Sequence, residues 1–356
     1  MDAGYASKSC LIAGWGLSFS HRRIVRLTVP LSWRKIVGLP GLTPPATSRC
    51  QSRLTIDLPV AWRNLRKLNV PKQQYDQSVE SGIAHLMGHT KGNGGNAIEF
   101  LNNGRGSRSG CLCLLASYAQ AKSLLAWFSE RDLPANKHWA YVAAKLNRMY
   151  FQLSPAAWFP AYEHLYALLC DDPESVNWYR QHTVSYFIAG EIDDRDNPKQ
   201  AAFHGYQALL ALNGEWELLA QRCEQILATD IKKDRRFLID HRFYLALARG
   251  DRSGMESVLN ELTSPKVAAR RNVEQAFGLT ERLIATHATI YAKIAWRHGY
   301  EVEVDSPWVP SEWLPIQPLD RYEDPWDFMN SFDLYQPFEN GWGDWSPVPG
   351  DRKLIR

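Results

Sequence analysis

The feature that most constrains the fold of this chain is a helical hydrophobic period that runs from about residue 110 to residue 299. Apolar residues recur there at steps of three and four, a spacing that places them on one face of a helix. Two such series are Leu114, Tyr118, Ala121, Leu125 and Phe128, and Trp139, Val142, Leu146 and Met149. The pattern predicts amphipathic helices, so we expect an all-α fold.

Residues that start and stop helices divide this stretch into short segments. A capping side chain followed by proline predicts a helix start. Such pairs are Ser154-Pro155, Asp172-Pro173 and Asn197-Pro198. A glycine after a run of helical residues predicts a helix end, because glycine adopts the left-handed conformation there. Such glycines are Gly190, Gly214, Gly250 and Gly299.

Two predicted joints between helices resemble each other at an offset of 36 residues, Leu210–Glu215 and Ala246–Asp251. This offset is close to the period of helical-hairpin arrays. We therefore expect stacked antiparallel helical hairpins that form a helical-repeat-like bundle.

The flanking segments differ from this body in composition. Residues 1–75 are predicted to be a poorly structured basic extension, since residues 1–67 hold eleven Lys/Arg against Asp2 and Asp57. A transit peptide and a basic arm for nucleic acid are alternatives, but we favour an extension translated upstream of the true start, whose deletion leaves folding intact. Residues 76–110 are predicted to be a linker with a short helix and a glycine-rich loop. The helical domain is expected at 111–335 and a C-terminal tail at 336–356.

The last part of the chain is acidic and rich in proline and tryptophan. Residues 301–356 carry twelve Asp/Glu against four Lys/Arg, and residues 300–356 hold eight prolines and five tryptophans. Because proline forbids a continuous helix, we expect this segment to wrap over the helical body, with indoles as anchors and carboxylates in water. Acids mixed with tryptophan also suit a partner-binding rim. The candidate partner contacts are Asp305, Trp308, Glu312, Trp313, Asp320, Glu323, Asp324 and Asp327.

The charge distribution indicates the kind of partner. The net charge is +3, but residues 1–67 alone balance at +9, which leaves −6 for the rest of the chain. An acidic body favours a basic protein partner and argues against nucleic acid. No stretch approaches the roughly 20 apolar residues of a membrane span, and the six cysteines follow no disulfide or zinc spacing. We therefore expect a cytoplasmic protein with reduced thiols and no membrane partner.

Motifs for catalysis, metal binding or cofactor binding are weak. His85 and His89 lack the intervening glutamate of a zinc protease, and the glycines at 104–110 fit no phosphate-binding fingerprint. The neighbours in Asp240-His241 and in Glu163-His164 point in different directions on a helix. Asp171-Asp172 resembles an acid/base pair, but Asp172 is better explained as a helix cap. We expect no catalytic, metal or cofactor-binding residues, and no cofactor.

A family resemblance adds to this interpretation. The residues that carry it are Tyr291–Trp296, Gly299, Val302, Val304–Pro307, Pro310, Trp313-Leu314, Pro318-Leu319 and Tyr322, and upstream Tyr118–Ala121, Asp132-Leu133, Lys137 and Lys145. On these residues the chain resembles the immunity protein 49 family of bacterial polymorphic-toxin systems. The likeness covers roughly 110–335 and is strongest at 280–330.

The resemblance implies an all-helical protein that binds a cognate toxin in the cytoplasm and blocks it, with no catalytic residues of its own. Two other hypotheses stay open at this point. A helical-hairpin adaptor would hold peptide segments of several partners, and an enzyme would reverse the damage that a toxin causes. The oligomeric state is not predicted.

Overall fold

Amphipathic sequence folds into helices throughout the part of the chain that the structure describes. The computed structural model describes residues 72–92, 94–153, 161–182, 195–229, 232–274 and 278–330, which lie within the compact unit Lys67–Arg356. These residues form helices and turns and include no strand. The all-α prediction is confirmed.

The helices are numbered here in chain order. They are α1 (Lys72–Thr90), α2 (Gly95–Asn102), α3 (Arg108–Phe128), α4 (Leu133–Leu153), α5 (Leu165–Cys170), α6 (Pro173–His182), α7 (Ala201–Asn213), α8 (Trp216–Leu227), α9 (Leu238–Ala248), α10 (Arg252–Leu262), α11 (Pro265–Glu274), α12 (Thr286–Arg297) and α13 (Asp327–Asn330). Short 3₁₀ turns span Ala161–His164, Lys232–Phe237 and Ser311–Trp313.

Helices α3 and α4 form the most extensive helix pair of the described fold. A buried polar link joins them: the Ser123 hydroxyl donates to the Asn136 carbonyl at 2.9 Å, and the Asn136 amide donates back to the Ser123 carbonyl at 2.8 Å. Asp132 starts α4 by accepting from the Ala135 backbone N–H at 2.8 Å. Since buried polar groups are costly when unpaired, this link favours one register of the two helices.

Helix α3 bears on the expectation that no segment is long and apolar enough to span a membrane. By length and composition alone, Arg108–Phe128 could cross a membrane. However, 67% of its most apolar 18-residue window is buried inside the protein. A helix that is apolar on most sides is also what the centre of a large helical core requires.

The two similar joints fold alike. The Glu215 N–H donates to the Leu210 carbonyl at 3.0 Å, and the Asp251 N–H donates to the Ala246 carbonyl at 2.8 Å. Gly214 and Gly250 have φ of 72° and 66°, as the Schellman helix end requires. The joints therefore build two consecutive hairpins, α7–α8 and α9–α10, which pack through α8 and α9.

Helices α1, of 19 residues, and α2, of 8, lie in and just before residues 76–110, the segment expected to be a linker with a short helix. Both pack on α3. Tyr75, Leu86 and Ala97 are buried. The hydrophobic period of α1 and α2 is weak in the sequence, because polar residues and glycines interrupt it. Their packing against α3 identifies the buried face of each helix.

Two of the helix starts predicted from a capping residue before proline lie in the described residues. Asp172 caps α6 as predicted, since it accepts from the Ser175 N–H at 2.8 Å, whereas the helix after Asn197 begins only at Ala201. Cys111, Cys170 and Cys223 are free and buried. Ser154-Pro155, Gly190, the extension before residue 72 and the tail after residue 330 lie outside the described residues.

Candidate functional site

Residues 300–326, which we call the strap, follow α12 without forming a long helix. The chain turns at Gly299, where the Tyr300 N–H donates to the Ala295 carbonyl at 3.0 Å. Five prolines, at 307, 310, 315, 318 and 325, interrupt the strap, and proline breaks the helical hydrogen-bond ladder. Apart from the turn Ser311–Trp313, the segment is therefore irregular.

Tryptophans anchor the first half of the strap. The Trp313 side chain lies in the core, 1% exposed, with its ring 6.0 Å from the rings of Trp127 and Phe128 at the end of α3. Trp308 packs edge-on against Tyr75 of α1 at 4.9 Å, and the Tyr75 hydroxyl donates to the Pro307 carbonyl. The strap is thus fixed to α1 and α3 by apolar contacts.

Aromatic rings also hold the second half. Trp326 lies 6.3 Å from Tyr118 of α3 and 6.4 Å from Trp139 of α4. Tyr322 packs on Tyr141 of α4 at 4.9 Å, and its hydroxyl donates to a backbone carbonyl of α5. The predicted wrap with aromatic anchors is what the structure contains over residues 300–330.

A buried ion cluster lies beneath the middle of the strap. Asp171, at the end of α5, accepts from Lys293 at 2.7 Å, from Arg297 at 2.7 Å and from Lys137 at 2.8 Å. The Gln317 backbone N–H of the strap donates to the same carboxylate at 3.2 Å. We call the four charged residues the Asp171 cluster. It joins α4, α5 and α12 to the strap.

Backbone carbonyls of the strap also accept hydrogen bonds from the two lysines of this cluster. Lys293 Nζ donates to the Leu314 carbonyl at 3.5 Å and to the Pro315 carbonyl at 3.4 Å, besides Asp171. Lys137 donates to the Gln317 carbonyl. An ammonium has three donors, so all three donors of Lys293 are used. Burial lowers the pKa of Lys293 to about 8, although the Asp171 carboxylate acts in the opposite direction.

A second ion pair lies farther along the strap. Lys145 of α4 donates to Asp324 at 2.6 Å, and the Tyr141 hydroxyl donates to the same carboxylate at 3.2 Å. We call these three residues the outer clip. Lys137, Tyr141 and Lys145 are spaced four apart, so they share one face of α4, and this face receives the strap.

The outward side of the strap is acidic. Over Glu301–Asp305 the exposed residues alternate with Val302, which is buried, and Val304, which is half-buried. The exposed acids of residues 300–330 are Glu301, Glu303, Asp305, Glu312, Asp320, Glu323 and Asp327. Arg321 is the one Lys/Arg residue in the same stretch. We call these seven exposed acids the acidic strip. Because the strap is anchored to the helices beneath it, the positions of these acids on the surface are fixed.

The predicted partner contacts fall into three groups. The exposed ones are Asp305, Glu312, Asp320, Glu323 and Asp327, and Trp308 is half-buried. The Asp324 side chain is 11% exposed and pairs with Lys145 in the outer clip. Trp313 lies apart from the others: its indole is buried in the core against Trp127 and Phe128, so it is not exposed to a partner in this conformation.

Sequence reasoning missed the residues that hold the strap. The sequence offers Asp171 only as part of an acidic doublet, and Lys293 only as part of the segment Tyr291–Trp296 that carries the family likeness. Lys137 and Lys145 were noted for their family likeness alone. A usable signal is the spacing of eight residues between these two lysines, which places them on one face of α4.

Asp240 and His241, a possible catalytic pair in the sequence, make buried hydrogen bonds with other residues. Asp240 accepts from Arg271 at 2.7 Å and from the Tyr291 hydroxyl at 2.8 Å, while the ring of His241 contacts that of His204 at 2.8 Å. Among the described residues, no group of three or more His, Cys, Asp or Glu could hold a metal ion.

Part of this fold is similar to a known protein family. No curated protein and no solved structure matches the chain. The matched segment of the family comparison begins with Gln200 at the start of α7 and ends at the buried Trp313, so it covers both hairpins, α12 and the first half of the strap. Over these residues, 200–313, the chain matches the family model of immunity protein 49, and the resemblance inferred from the sequence is confirmed there.

Proposed function

We propose that this chain is an immunity protein that binds a cognate bacterial toxin domain and neutralises it by direct occlusion. The observation that carries the proposal is the match to immunity protein 49 over residues 200–313. The matched segment includes Glu301, Glu303, Asp305 and Glu312 of the acidic strap. Neutralisation takes place in the cytoplasm of the producing cell, where a toxin would act on that cell.

The charge of the strap supports a basic partner. Residues 300–330 hold eight acidic residues and one Lys/Arg residue, and seven of the acids are exposed. Opposite charges accelerate encounter between proteins, while affinity depends mainly on a few buried anchors. Trp308 is half-buried and is the candidate anchor within the strip.

The first test is coexpression with the toxin encoded beside this gene. Cells that express both proteins should grow, and the proteins should elute together from gel filtration at an equimolar ratio. If both are present without associating and growth is still arrested, occlusion is wrong.

The second test assigns the interface. The triple variant Asp305→Asn, Glu312→Gln, Asp320→Asn removes three exposed strap charges. The matched control Glu80→Gln, Glu99→Gln, Glu217→Gln removes three exposed charges from helices. Loss of rim charges lowers the association rate and its salt dependence. We expect the association rate constant to fall at least tenfold in the strap variant alone. Equal effects in both variants would show that the strap is not the contact surface.

The adaptor hypothesis is favoured by one observation, the two hairpins with equivalent joints. It predicts binding to short extended peptides, which fluorescence anisotropy with peptide fragments of the toxin would detect. The immunity hypothesis predicts binding to the folded toxin domain only. An enzyme that reverses toxin damage would protect cells at substoichiometric dose, and a titration of expression level separates it from both.

A further inference from the structure

In the Asp171 cluster, backbone carbonyls of the strap accept hydrogen bonds from two of the three cations. One carboxylate faces the three cations Lys137, Lys293 and Arg297. The Lys293 and Asp171 side chains are both 0% exposed. Buried charges need several favourable contacts to offset lost hydration. Here the additional acceptors are backbone carbonyls of Leu314, Pro315 and Gln317, all in the strap.

The dependence is mutual. The Gln317 N–H donates to Asp171 at 3.2 Å, so the strap uses the cluster to satisfy its own backbone in the absence of helix or sheet. Such an irregular segment makes few local hydrogen bonds of its own, and segments of this kind open first in local unfolding. Contacts distant in sequence therefore decide whether the strap stays docked.

We propose that the Asp171 cluster and the outer clip form a clasp that docks the strap as one cooperative unit and thereby preorganises the acidic strip for its partner. The part about the partner rests on the proposed function. The clasp residues are positioning residues, since Asp171, Lys137 and Lys293 are buried beneath the strap. A preorganised surface binds more tightly because less ordering entropy is lost on association.

The experiment uses the outer clip, because its Lys145 and Asp324 side chains are 9% and 11% exposed, whereas those of Lys293 and Asp171 are 0% exposed. Lys145→Met removes the cation that pairs with Asp324, and Lys145→Arg keeps it. Arg242→Met, which breaks the exposed pair of Arg242 with Glu261 between α9 and α10, is the matched control. Asp171→Asn removes the central carboxylate charge with little change in volume.

The first measurement is hydrogen–deuterium exchange of the free full-length chain. We expect Lys145→Met to accelerate exchange at least tenfold in peptides across the whole strap, 300–326, with α3 and α9 unchanged. Lys145→Arg should restore protection, and Arg242→Met should leave the strap unaffected. Asp171→Asn should accelerate exchange over the whole strap. If strap, α3 and α4 lose protection together in both Lys145→Met and Asp171→Asn, the strap is not a separate unit and the clasp is wrong.

The second measurement is the Kd for the toxin domain that the wild-type chain binds. Lys145→Met should weaken binding at least fivefold, and Lys145→Arg should bind like the wild type. Faster strap exchange with an unchanged Kd would overturn preorganisation while leaving the proposed function intact. Failure of the wild-type chain to bind the toxin would overturn the proposed function and the preorganisation together, while the exchange data would still decide whether the clasp exists.

Discussion

Asp171 shows how one residue can serve backbone geometry and electrostatics together. Its φ is 61°, a left-handed conformation that side chains other than glycine adopt only at a cost. Aspartate tolerates this conformation better than most residues, and here the turn aims its carboxylate at Lys137, Lys293 and Arg297. Glycine would fit the backbone but would leave these cations without their counter-ion.

At the same scale, Trp313 is predicted to be the most important apolar anchor of the strap. Trp313→Ala should destabilise the protein by about 3–5 kcal/mol, because it empties a fully buried site. Trp308→Ala, at a half-buried position, should cost clearly less. Urea unfolding followed by circular dichroism measures both changes. Equal losses would contradict the packing described here.

The Asp172 cap is a second residue-scale prediction. Asp172→Ala removes the acceptor for the Ser175 N–H at the start of α6 and should cost about 1 kcal/mol. Asp172→Asn keeps an acceptor oxygen and should cost less than half of that. Urea midpoints at constant slope would measure both. A neutral alanine variant would mean that the cap contributes nothing.

At the scale of elements, the two hairpins depend on their joints. Helix α7 passes to α8 and α9 passes to α10 through equivalent hydrogen bonds, and each joint has a glycine in the left-handed conformation. Because the joints set the angle of each helix pair, they also set how α8 packs on α9. The 36-residue offset in sequence is thus a structural repeat of two units.

Substitution of these glycines gives a graded prediction. A Cβ at Gly250 would lie 3.0 Å from the Tyr300 hydroxyl, whereas at Gly214 its nearest neighbour is a Trp216 ring carbon at 3.5 Å. Both alanine variants should lose roughly 1–2 kcal/mol from the left-handed backbone, and Gly250→Ala should lose more than Gly214→Ala. Gly88→Ala in α1, which meets nothing within 4 Å, is the control and should be neutral or stabilising. Thermal melts rank the three variants, and the reverse order of the two joint glycines would refute the argument.

At the scale of the whole molecule, buried histidines link stability to pH. Burial lowers the pKa of His164 to about 4, that of His241 to about 3, and that of His287 well below its ordinary 6.5. Below pH 6.5 the unfolded chain therefore binds more protons at these residues than the folded chain does. Glu163 acts in the opposite direction, since burial raises its pKa to about 7, but it is one group against three.

The free energy of unfolding should therefore fall as the pH is lowered from 6.5 to 5. Each histidine contributes a slope of up to about 1.4 kcal/mol per pH unit. Urea titrations at half-unit intervals between pH 5 and 7.5 measure the slope, and His241→Phe should make it shallower. Stability that stays constant or rises on acidification would show that these histidines are not kept neutral in the folded protein.

The helical class, the two hairpins and the aromatic, acidic wrap were predictable from the amino-acid sequence, because each depends on local information. Helical periodicity, capping residues, left-handed glycines and proline act within a few positions of the chain. The burial of Trp313 in the core and the contact of the strap with Asp171 were not predictable in this way. Those outcomes depend on groups from α3, α4, α5 and α12 that meet across more than a hundred residues, and burial and ion pairing are properties of the assembled fold.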